Sequence, residues 1–532
     1  MRRPPVGFRG LLGAAALLGL LAALASPAAA QAADTYVDFE TGDDTLVCTD
    51  PDLPCQTIQA GINKATVGAT VRVDDTAGNA DSSIGLNLDM GKSLIAQEFG
   101  PDGDENALPE PDTIIDAGET AVGFPAIRVP STSGGGTIQG FVIRSPAQPV
   151  SLQATTTLTG NRIDEDAGLG SCMIGVSGSG NNSVVGQNTI VDPTPAASPK
   201  AGVCITASAT PSVDSNAFTD LNHGVQSAGG NSTISSNVFR GTQGTTSDAA
   251  IEVTSGSALE IASNLIEDPG DTFVGGILLR QTGASPVVGA SLRQNTILGH
   301  RFGVVVNDTE ALVSMIGNLI AKSTNSGLAM NDTEGDDGGN VFATNVTITD
   351  STNAEVSVTN ADLTLNSGII GAAGINASGL VMPSCTITFS RGPSIMASPS
   401  GCANFQTTAA PGFLNPAIDD YHLAVGSAMI DRGDPATPAA GTLDLDGQAR
   451  ATDGNGDGIV RRDIGADETP TGLPPGVNTP PAALVPAPQT TAKTQTTAKK
   501  KCKKKRKKKG KKGAAAAAKR KGCKKKRKKR RK

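Results

Sequence analysis

The acidic motif Asn-Asp-Thr-Glu occurs twice, 24 residues apart, and each copy follows a short apolar run that begins near a glycine. If the copies lay on neighbouring coils of a repeat structure, Asp308 would lie about 5 Å from Asp332. Glu310 would lie equally close to Glu334. Carboxylates at that separation are typical of retaining glycosidases, and crowding raises one pKa so that one residue can act as an acid. The alternative, which we favour, is that a repeat protein repeats its polar turns.

A second candidate site is the segment DGNGDG, which resembles the first half of a calcium loop. Asp453, Asn455 and Asp457 alternate with glycine, as oxygen ligands do in such a loop. The twelfth position is Ile464 rather than Glu, and Asp463 lies one residue earlier. The expected calcium ligands are Asp453, Asn455, Asp457 and Asp463. The alternative is a glycine-rich hairpin turn, and no other cofactor is expected.

Histidine is scarce, with His223, His300 and His422 as the only three. His300 precedes the first acidic motif and could supply a base, but a solvated surface histidine is the simpler interpretation. Arg280 and Glu252 are expected to point outward from neighbouring coils. There they would form at most a surface ion pair, worth about 0–1 kcal/mol.

These side chains need a scaffold, and the sequence indicates one through a repeated Asn-x-apolar motif with a period of about 26 residues. Segments such as GVCIT, GILLR and GVVVN lie between the copies. They are short, alternating and rich in β-branched residues, which favours strands over helical repeats. We therefore predict an all-β solenoid in which each coil carries two or three short parallel strands.

Stacked coils would place equivalent side chains one strand spacing apart, about 4.8 Å. One expected inward row comprises Val203, Val225, Ile251, Ile277, Val304 and Leu328. The next comprises Ile205, Val253, Leu279, Val306 and Met330. The repeated asparagine would form an internal ladder, because its amide both donates and accepts hydrogen bonds. The ladder residues are Asn161, Asn188, Asn216, Asn237, Asn264, Asn295 and Asn318.

These repeats resemble those of right-handed parallel β-helix proteins of the pectate-lyase-like superfamily. The opening TYVDFETGDD…TVRV resembles the start of secreted bacterial members, and LDLDGQAR…DIGADE resembles their closing segment. The resemblance covers roughly residues 35–468 and implies the fold without indicating an activity. Lyases of the superfamily use acidic calcium ligands with a basic Arg or Lys. The chain shows no local match to the motifs of pectate lyases or polygalacturonases.

The two ends of the solenoid have their own signals. Residues 57–65 are expected to form a short helix that caps the open end of the first coil, ahead of a first strand at TVRV.

Three disulfides are expected, Cys48–Cys55, Cys172–Cys204 and Cys385–Cys402. For Cys172 and Cys204, two free thiols on neighbouring coils are the alternative. Cys502 and Cys523 remain unassigned.

The charge distribution separates the body of the chain from its tail. Of the 45 basic residues, 24 lie in residues 499–532, whereas all 51 acidic residues precede them. Such a tail cannot fold alone, because like charges repel and nothing apolar is available to bury. In a cytosolic protein it would suggest nucleic acid. After export, anionic envelope polymers are the expected target and nucleic acid is not, with an unbound solvated tail as the alternative.

The N-terminus resembles a secretory signal, with three arginines before an apolar run shorter than the roughly 20 residues that span a bilayer. No later segment is long and apolar enough to span. The expected organisation is a signal peptide (1–33), an N-terminal cap (34–65), a parallel β-helix (66–420), a closing segment (421–468), a Pro/Thr/Ala-rich linker (469–498) and a disordered basic tail (499–532).

The sequence therefore predicts a secreted or cell-surface β-helix with a structural or carbohydrate-binding role. Its expected partner is an extracellular or envelope polysaccharide, and its tail would tether it to anionic surface polymers. The alternative is a polysaccharide lyase or glycoside hydrolase that acts on an extracellular glycan.

Overall fold

The computed structural model describes residues 32–74, 80–81, 85–97, 113–117, 124–164, 172–192, 201–206, 208–241, 248–255, 259–268, 275–280, 289–307, 312–331, 338–379, 384–393, 402, 404–438 and 442–471. The apolar N-terminal segment, most of the linker and the basic tail with Cys502 and Cys523 lie outside these ranges.

The described residues form three parallel sheets, and the chain passes through sheets A, B and C in turn on each coil. Sheet A contains Thr35–Val37, Thr70–Val73, Ser93–Ala96, Thr137–Gln139, Thr157–Thr159, Val184–Gly186, Ser212–Asp214, Thr233–Ser235, Leu259–Ala262, Gly289–Arg293, Leu312–Ile316, Gly338–Thr344, Ala361–Asn366 and Cys385–Thr388. Sheet B contains Ala80–Asp81, Thr113–Asp116, Phe141–Arg144, Arg162–Asp164, Thr189–Val191, Ala217–Thr219, Val238–Arg240, Leu265–Glu267, Thr296–Leu298, Leu319–Ala321, Thr347–Thr349 and Ile369–Ile370. Sheet C contains Leu86–Asn87, Pro125–Val129, Gln148–Leu152, Cys172–Val176, Ala201–Ile205, His223–Ala228, Ala249–Ser255, Gly275–Arg280, Phe302–Asn307, Ser326–Asn331, Ala354–Thr359 and Ile375–Ser378. The predicted parallel β-helix is confirmed.

The register of sheet C confirms both predicted inward rows. Val203 lies opposite Val225, and Val225 lies opposite Ile251. The row continues in register through Ile277 and Val304, and then to Leu328. All six side chains are buried, as are the members of the second row. Apolar burial repeated from coil to coil is what stabilises a solenoid, since each coil contacts only its neighbours.

The asparagine ladder is also confirmed, and it stabilises the bend between sheets A and B. The residue before each ladder asparagine has a positive φ, between 52° and 65°, which turns the chain sharply. From Asn188 onward, the side-chain oxygen of each ladder asparagine accepts the backbone N–H and the Nδ2–H of the preceding one, at 2.9–3.1 Å. None of the seven is more than 2% exposed. The amides thus satisfy the backbone groups that the bend takes away from strand pairing.

The N-terminal end carries the predicted helix, which spans Ile58–Lys64. The Thr57 hydroxyl accepts the N–H of Ala60 and caps the first turn. Ile58 and Ile62 are buried in the core, as expected. The strand at Thr70–Val73 is the second of sheet A rather than the first, because Thr35–Val37 pairs with it in parallel.

The three predicted disulfides are confirmed. The Cα–Cα distances are 5.2 Å for Cys48–Cys55, 6.0 Å for Cys172–Cys204 and 4.9 Å for Cys385–Cys402. The Cys172–Cys204 disulfide joins neighbouring coils of sheet C. The strand that begins at Cys172 pairs with the strand that begins at Ala201 and contains Cys204.

The closing segment (421–468) begins in the second strand of a short antiparallel hairpin and packs on the outer side of sheet B. The hairpin strands are Phe413–Asn415 and Asp420–Leu423, joined by a 3-10 turn at Pro416–Ile418. Tyr421 and Ala466 pack against sheet B side chains that face away from the core. The backbone N–H of Ala466 donates to Thr347 Oγ1 at 2.9 Å.

Candidate functional site

The outer side of sheet C between His223 and Thr359, called here the central face, carries two rows of side chains that point away from the core. The first row runs in register through Gln226, Glu252, Leu278, Val305 and Ala329. The second comprises Arg280, Asn307, Asn331 and Thr359. The parallel strands therefore align charged, amide and hydroxyl groups along the axis of the solenoid.

A buried carboxylate lies at the centre of this face. Glu252 is 0% exposed although its side chain points outward. Its Oε1 contacts the Arg280 guanidinium, and its Oε2 accepts a hydrogen bond from Gln226 Nε2 at 2.9 Å. His223 Nδ1 lies 3.5 Å from the same Oε2. Three polar groups from the two neighbouring coils thus converge on one carboxylate.

His223 extends this network to a second acid. Its Nδ1 lies 3.1 Å from the Ala249 carbonyl oxygen, and its Nε2 lies 3.4 Å from Asp248 Oδ1. Both His223 and Asp248 are buried. The imidazole therefore lies between two carboxylates, Asp248 and Glu252.

Burying a carboxylate costs desolvation free energy, which pairing and hydrogen bonds only partly offset. A surface with a purely structural role would not need such a cluster. Its effect is to fix Arg280, whose side chain remains 37% exposed while the paired acid is hidden. Arginine presents several N–H donors in a planar fork that suits oxygen-rich ligands. The arrangement holds an arginine in one orientation with part of its donor set turned to solvent.

Apolar side chains and amides flank the arginine. Ala249, Leu278 and Val305 form a buried apolar patch on the outer side of the sheet, with Phe302 packed against it. In the second row, Asn331 Nδ2 donates to Asn307 Oδ1 at 2.9 Å. The central face therefore combines an apolar strip with a row of polar groups, a combination typical of binding sites for polar organic ligands.

Two sequence-based expectations need correction here. The ion pair of Arg280 and Glu252 forms, but it is not a surface pair, because Glu252 is fully buried. Outward orientation did not imply solvent exposure. His300 is not a surface histidine either, since it is 1% exposed. The role of His223 was missed, although its register position places it two coils before Arg280, at the same face.

The four acids of the repeated motif, Asp308, Glu310, Asp332 and Glu334, lie outside the described residues. Asn307 and Asn331, which begin the two copies, pair in register on neighbouring coils. The use of the four acids as paired catalytic carboxylates stays a prediction.

The proposed calcium loop forms a tight turn whose side chains hold its own backbone. Asp453 accepts the N–H groups of Asp457 and Gly458 at 3.0 and 2.8 Å. Asn455 Oδ1 also accepts the N–H of Asp457, at 2.8 Å. Asp463 is buried and bonds elsewhere, to the backbone of Asp431 and Thr469. Calcium binding at this loop stays a prediction.

A shallow groove on the outer side of sheet A is a weaker candidate. It has a volume of about 390 Å³ and is lined by Glu260, Ser291, Arg293 and Leu312 among others. Arg293 Nε donates to Ser291 Oγ at 2.9 Å. Both charged side chains of this groove are exposed, and within the described part of the chain no buried acid pairs with Arg293 as Glu252 pairs with Arg280.

Among the residues described, no helix has the length and apolar character needed to cross a membrane.

Comparisons with known proteins agree with the fold. The family model of the right-handed β-helix region matches residues 127–289. No match is found among curated proteins. Similar solved structures include a mannuronic acid specific polysaccharide family 6 lyase from human gut microbiota, at 14% identity over 60% of this chain and 77% of that chain, with a TM-score of 0.37. XylC in complex with xylose shares 9% identity over 67% of this chain and 83% of that chain, with a TM-score of 0.35. Pectate lyase Pel9A shares 9% identity over 82% of this chain and 96% of that chain, with a TM-score of 0.31. These similarities concern the fold alone.

Proposed function

We propose that this right-handed parallel β-helix protein is exported and binds an extracellular or envelope polysaccharide along the central face. The observation that carries the proposal is the fully buried Glu252, which orients the Arg280 guanidinium at the head of a row of amide and hydroxyl side chains. Equivalent groups on successive coils lie about 4.8 Å apart, close to the length of a sugar ring. A glycan that lies along the solenoid axis would meet one polar group per coil.

The side chains of the central face suit hydrogen bonding to sugar hydroxyl groups better than long-range attraction of a charged ligand. Arg280 is already paired with Glu252, so the pair contributes no net charge at a distance. Asn307, Asn331 and Thr359 are neutral donors and acceptors. We therefore expect glycan binding at the central face to depend only weakly on salt, because few counterions are released.

The experiment is a polysaccharide panel, scored for both retention of the full-length protein and release of products. High salt suppresses attachment by the basic tail. Arg280→Gln should weaken retention by about tenfold or more, the loss expected when a charge-assisted hydrogen bond is removed. Arg128→Gln, an exposed arginine on the outer side of the same sheet, is the matched control and should bind normally.

Arg293→Gln tests the rival groove on sheet A. If Arg293→Gln abolishes retention and Arg280→Gln does not, the central face is not the binding site.

A second candidate function is cleavage of the bound glycan. The position of Glu252, in contact with Arg280 and 3.5 Å from His223 Nδ1, supports it, because histidine and carboxylate groups are common general acids and bases. Release of products that falls about 100-fold or more in Glu252→Gln, while retention persists, would favour an enzyme. Retention without product release would favour a binding protein.

The basic tail is proposed to tether the protein to anionic polymers of the envelope. Its 24 Lys or Arg residues contrast with the acidic remainder of the chain, which an anionic surface would repel. Attachment through many lysines is steeply salt-dependent. A protein that ends at Thr469 should therefore appear in the medium, while the full chain should leave cells in high salt. Surface retention that is unchanged by the truncation would contradict the tether.

Calcium at Asp453, Asn455 and Asp457 is proposed as a structural ion of the closing segment, without Asp463, whose oxygens bond to the backbone of Asp431 and Thr469. Calorimetry at millimolar calcium, the range of extracellular modules, tests it. Heat that is lost in Asp457→Asn supports the site, and absence of heat in the unaltered protein removes it.

A further inference from the structure

A separate group of potential metal ligands lies in the closing segment. His422 stands on the hairpin strand Asp420–Leu423, and two loops of the closing segment bring Asp446 and Asp467 to it. One ligand atom from each of the three residues lies within 4.8 Å of the other two. Within the described ranges, this is the one group of three histidine, cysteine or acidic side chains that meets so closely.

The imidazole is oriented by a fourth residue. His422 Nδ1 lies 2.6 Å from Asp420 Oδ1, and Nε2 lies 2.8 Å from Asp446 Oδ2. In this structure Nδ1 donates to Asp420 and Nε2 donates to Asp446. A metal ion that replaces the Nε2 proton would be bound between Nε2 and the Asp446 and Asp467 carboxylates, with Nδ1–H still donating to Asp420. Metal-binding histidines characteristically donate their other ring N–H to a carboxylate in this way.

The group also carries more negative than positive charge. Three carboxylates, Asp420, Asp446 and Asp467, surround one imidazole. Even when protonated, the imidazole neutralises only one of the three. Asp467 is 7% exposed; one of its oxygens accepts the N–H of Leu423 at 3.0 Å, and its other oxygen accepts no hydrogen bond from the described residues. The side chains of His422, Asp420 and Asp446 are 17–28% exposed, so the cluster carries a partly buried excess of negative charge, which a cation would neutralise.

We propose that His422 Nε2, Asp446 and Asp467 bind a divalent first-row transition ion, with Asp420 as the residue that orients the imidazole. One nitrogen and two carboxylate ligands suit zinc and related ions, whereas calcium prefers oxygen ligands alone. Binding displaces the proton on Nε2 to solvent, and water completes the coordination. No redox change is involved.

Such an ion would fasten three parts of the chain together. The ion would link the hairpin strand to the loop around Asp446 and to the final turn around Asp467. The site is distinct from the proposed calcium loop and shares no residue with it. It also lies apart from the central face, so a test of metal binding does not depend on glycan binding.

The test uses the full-length protein, stripped with chelator and titrated with Zn²⁺ by calorimetry. We expect one ion per chain. Asp446→Asn and His422→Gln should each weaken binding by about 100-fold or more, and Asp420→Asn by about 10- to 100-fold. Asp52→Asn, an exposed aspartate of the N-terminal cap, is the matched control and should bind as the unaltered protein does.

Two results would overturn the proposal. One is the absence of zinc binding by the unaltered protein at about 100 μM, well above the range of structural zinc sites. The other is unchanged affinity in a folded His422→Gln variant.

Should the variants fail to fold, the visible absorption of Co²⁺ bound to the unaltered protein keeps the proposal falsifiable. Bands of a nitrogen and oxygen ligand set support it. An intense sulfur charge-transfer band would assign the ion to cysteine and contradict it.

Discussion

The asparagine ladder and the closing segment both bury polar groups, but they satisfy them in opposite ways. The ladder is neutral, and each amide finds its partners in the next copy of itself. The closing segment buries ionisable side chains, among them Arg450, Asp463 and Glu468, none of which is more than 1% exposed. Its partners come from unrelated positions along the chain.

The two regions show two ways in which a sequence can provide partners for buried polar groups. In the ladder, a repeated residue guarantees that donor and acceptor counts match, because every coil presents the same amide. In the closing segment, Arg450 donates to the carbonyl oxygens of Gly465 and Ala466 at 3.1 and 2.8 Å, and lies 3.6 Å from Glu468. That match depends on single residues, so one substitution should affect the closing segment more than the ladder.

The largest effect is expected for Arg450→Met. It leaves the Glu468 carboxyl and two buried carbonyl groups without their partner, and removing one member of a buried pair costs about 3–5 kcal/mol. Hydrogen exchange of the closing segment should accelerate, while exchange of the ladder bend stays slow. Arg461→Met, an exposed arginine of the same segment, is the control. Unchanged protection of the closing segment in Arg450→Met would mean that the buried arginine does not hold it.

The next effect is a dependence of stability on pH that the ladder cannot have. Burial, with a smaller contribution from the negative charge of Asp431, raises the pKa of Asp463 to about 6, despite hydrogen bonds from the backbone of Asp431 and Thr469. The Glu468 and Arg450 side chains also interact electrostatically with this carboxyl.

Because the folded pKa is above the unfolded value, the stabilising contribution of Asp463 is complete below about pH 4 and is lost as the pH rises through about 6. The loss amounts to about 3 kcal/mol at most. Asp463→Asn should therefore gain stability relative to the unaltered protein between pH 4 and 7, as measured by denaturant unfolding at each pH. A constant difference across that range would show that Asp463 does not titrate as described.

A smaller effect is expected from the ladder itself. Asn264→Ala removes the donor to the Ile234 carbonyl oxygen and the acceptor for Asn237. Unpaired buried partners cost about 1–3 kcal/mol. Denaturant unfolding measures the loss, with Asn376→Ala, an exposed asparagine of sheet C, as the control. Equal loss in both variants would contradict the special role of the ladder.

The repeat explains why so much of the fold could be predicted. A period of about 26 residues fixes the register, and the register fixes which side chains share a row. Val203, Val225 and Asn264 could therefore be placed from sequence alone. The same argument placed Arg280 and Glu252 on the outer side of sheet C.

What could not be predicted depends on contacts outside the repeat. Alternation gives the direction of the Glu252 side chain but not its burial, because burial depends on everything packed above the sheet. The closing segment has no period, so nothing in the sequence indicates that Arg450 pairs with Glu468, or that His422 meets Asp446 and Asp467. Aperiodic polar contacts are visible only in three dimensions.

The central claim is that Arg280, fixed by Glu252, is the glycan-binding arginine of this protein. The most direct measurement is the dissociation constant for the polysaccharide retained by the unaltered protein, determined in high salt for Arg280→Gln and Arg128→Gln in parallel. The account predicts that binding weakens by about tenfold or more in Arg280→Gln and is unchanged in Arg128→Gln. Equal affinity in the two variants would contradict it.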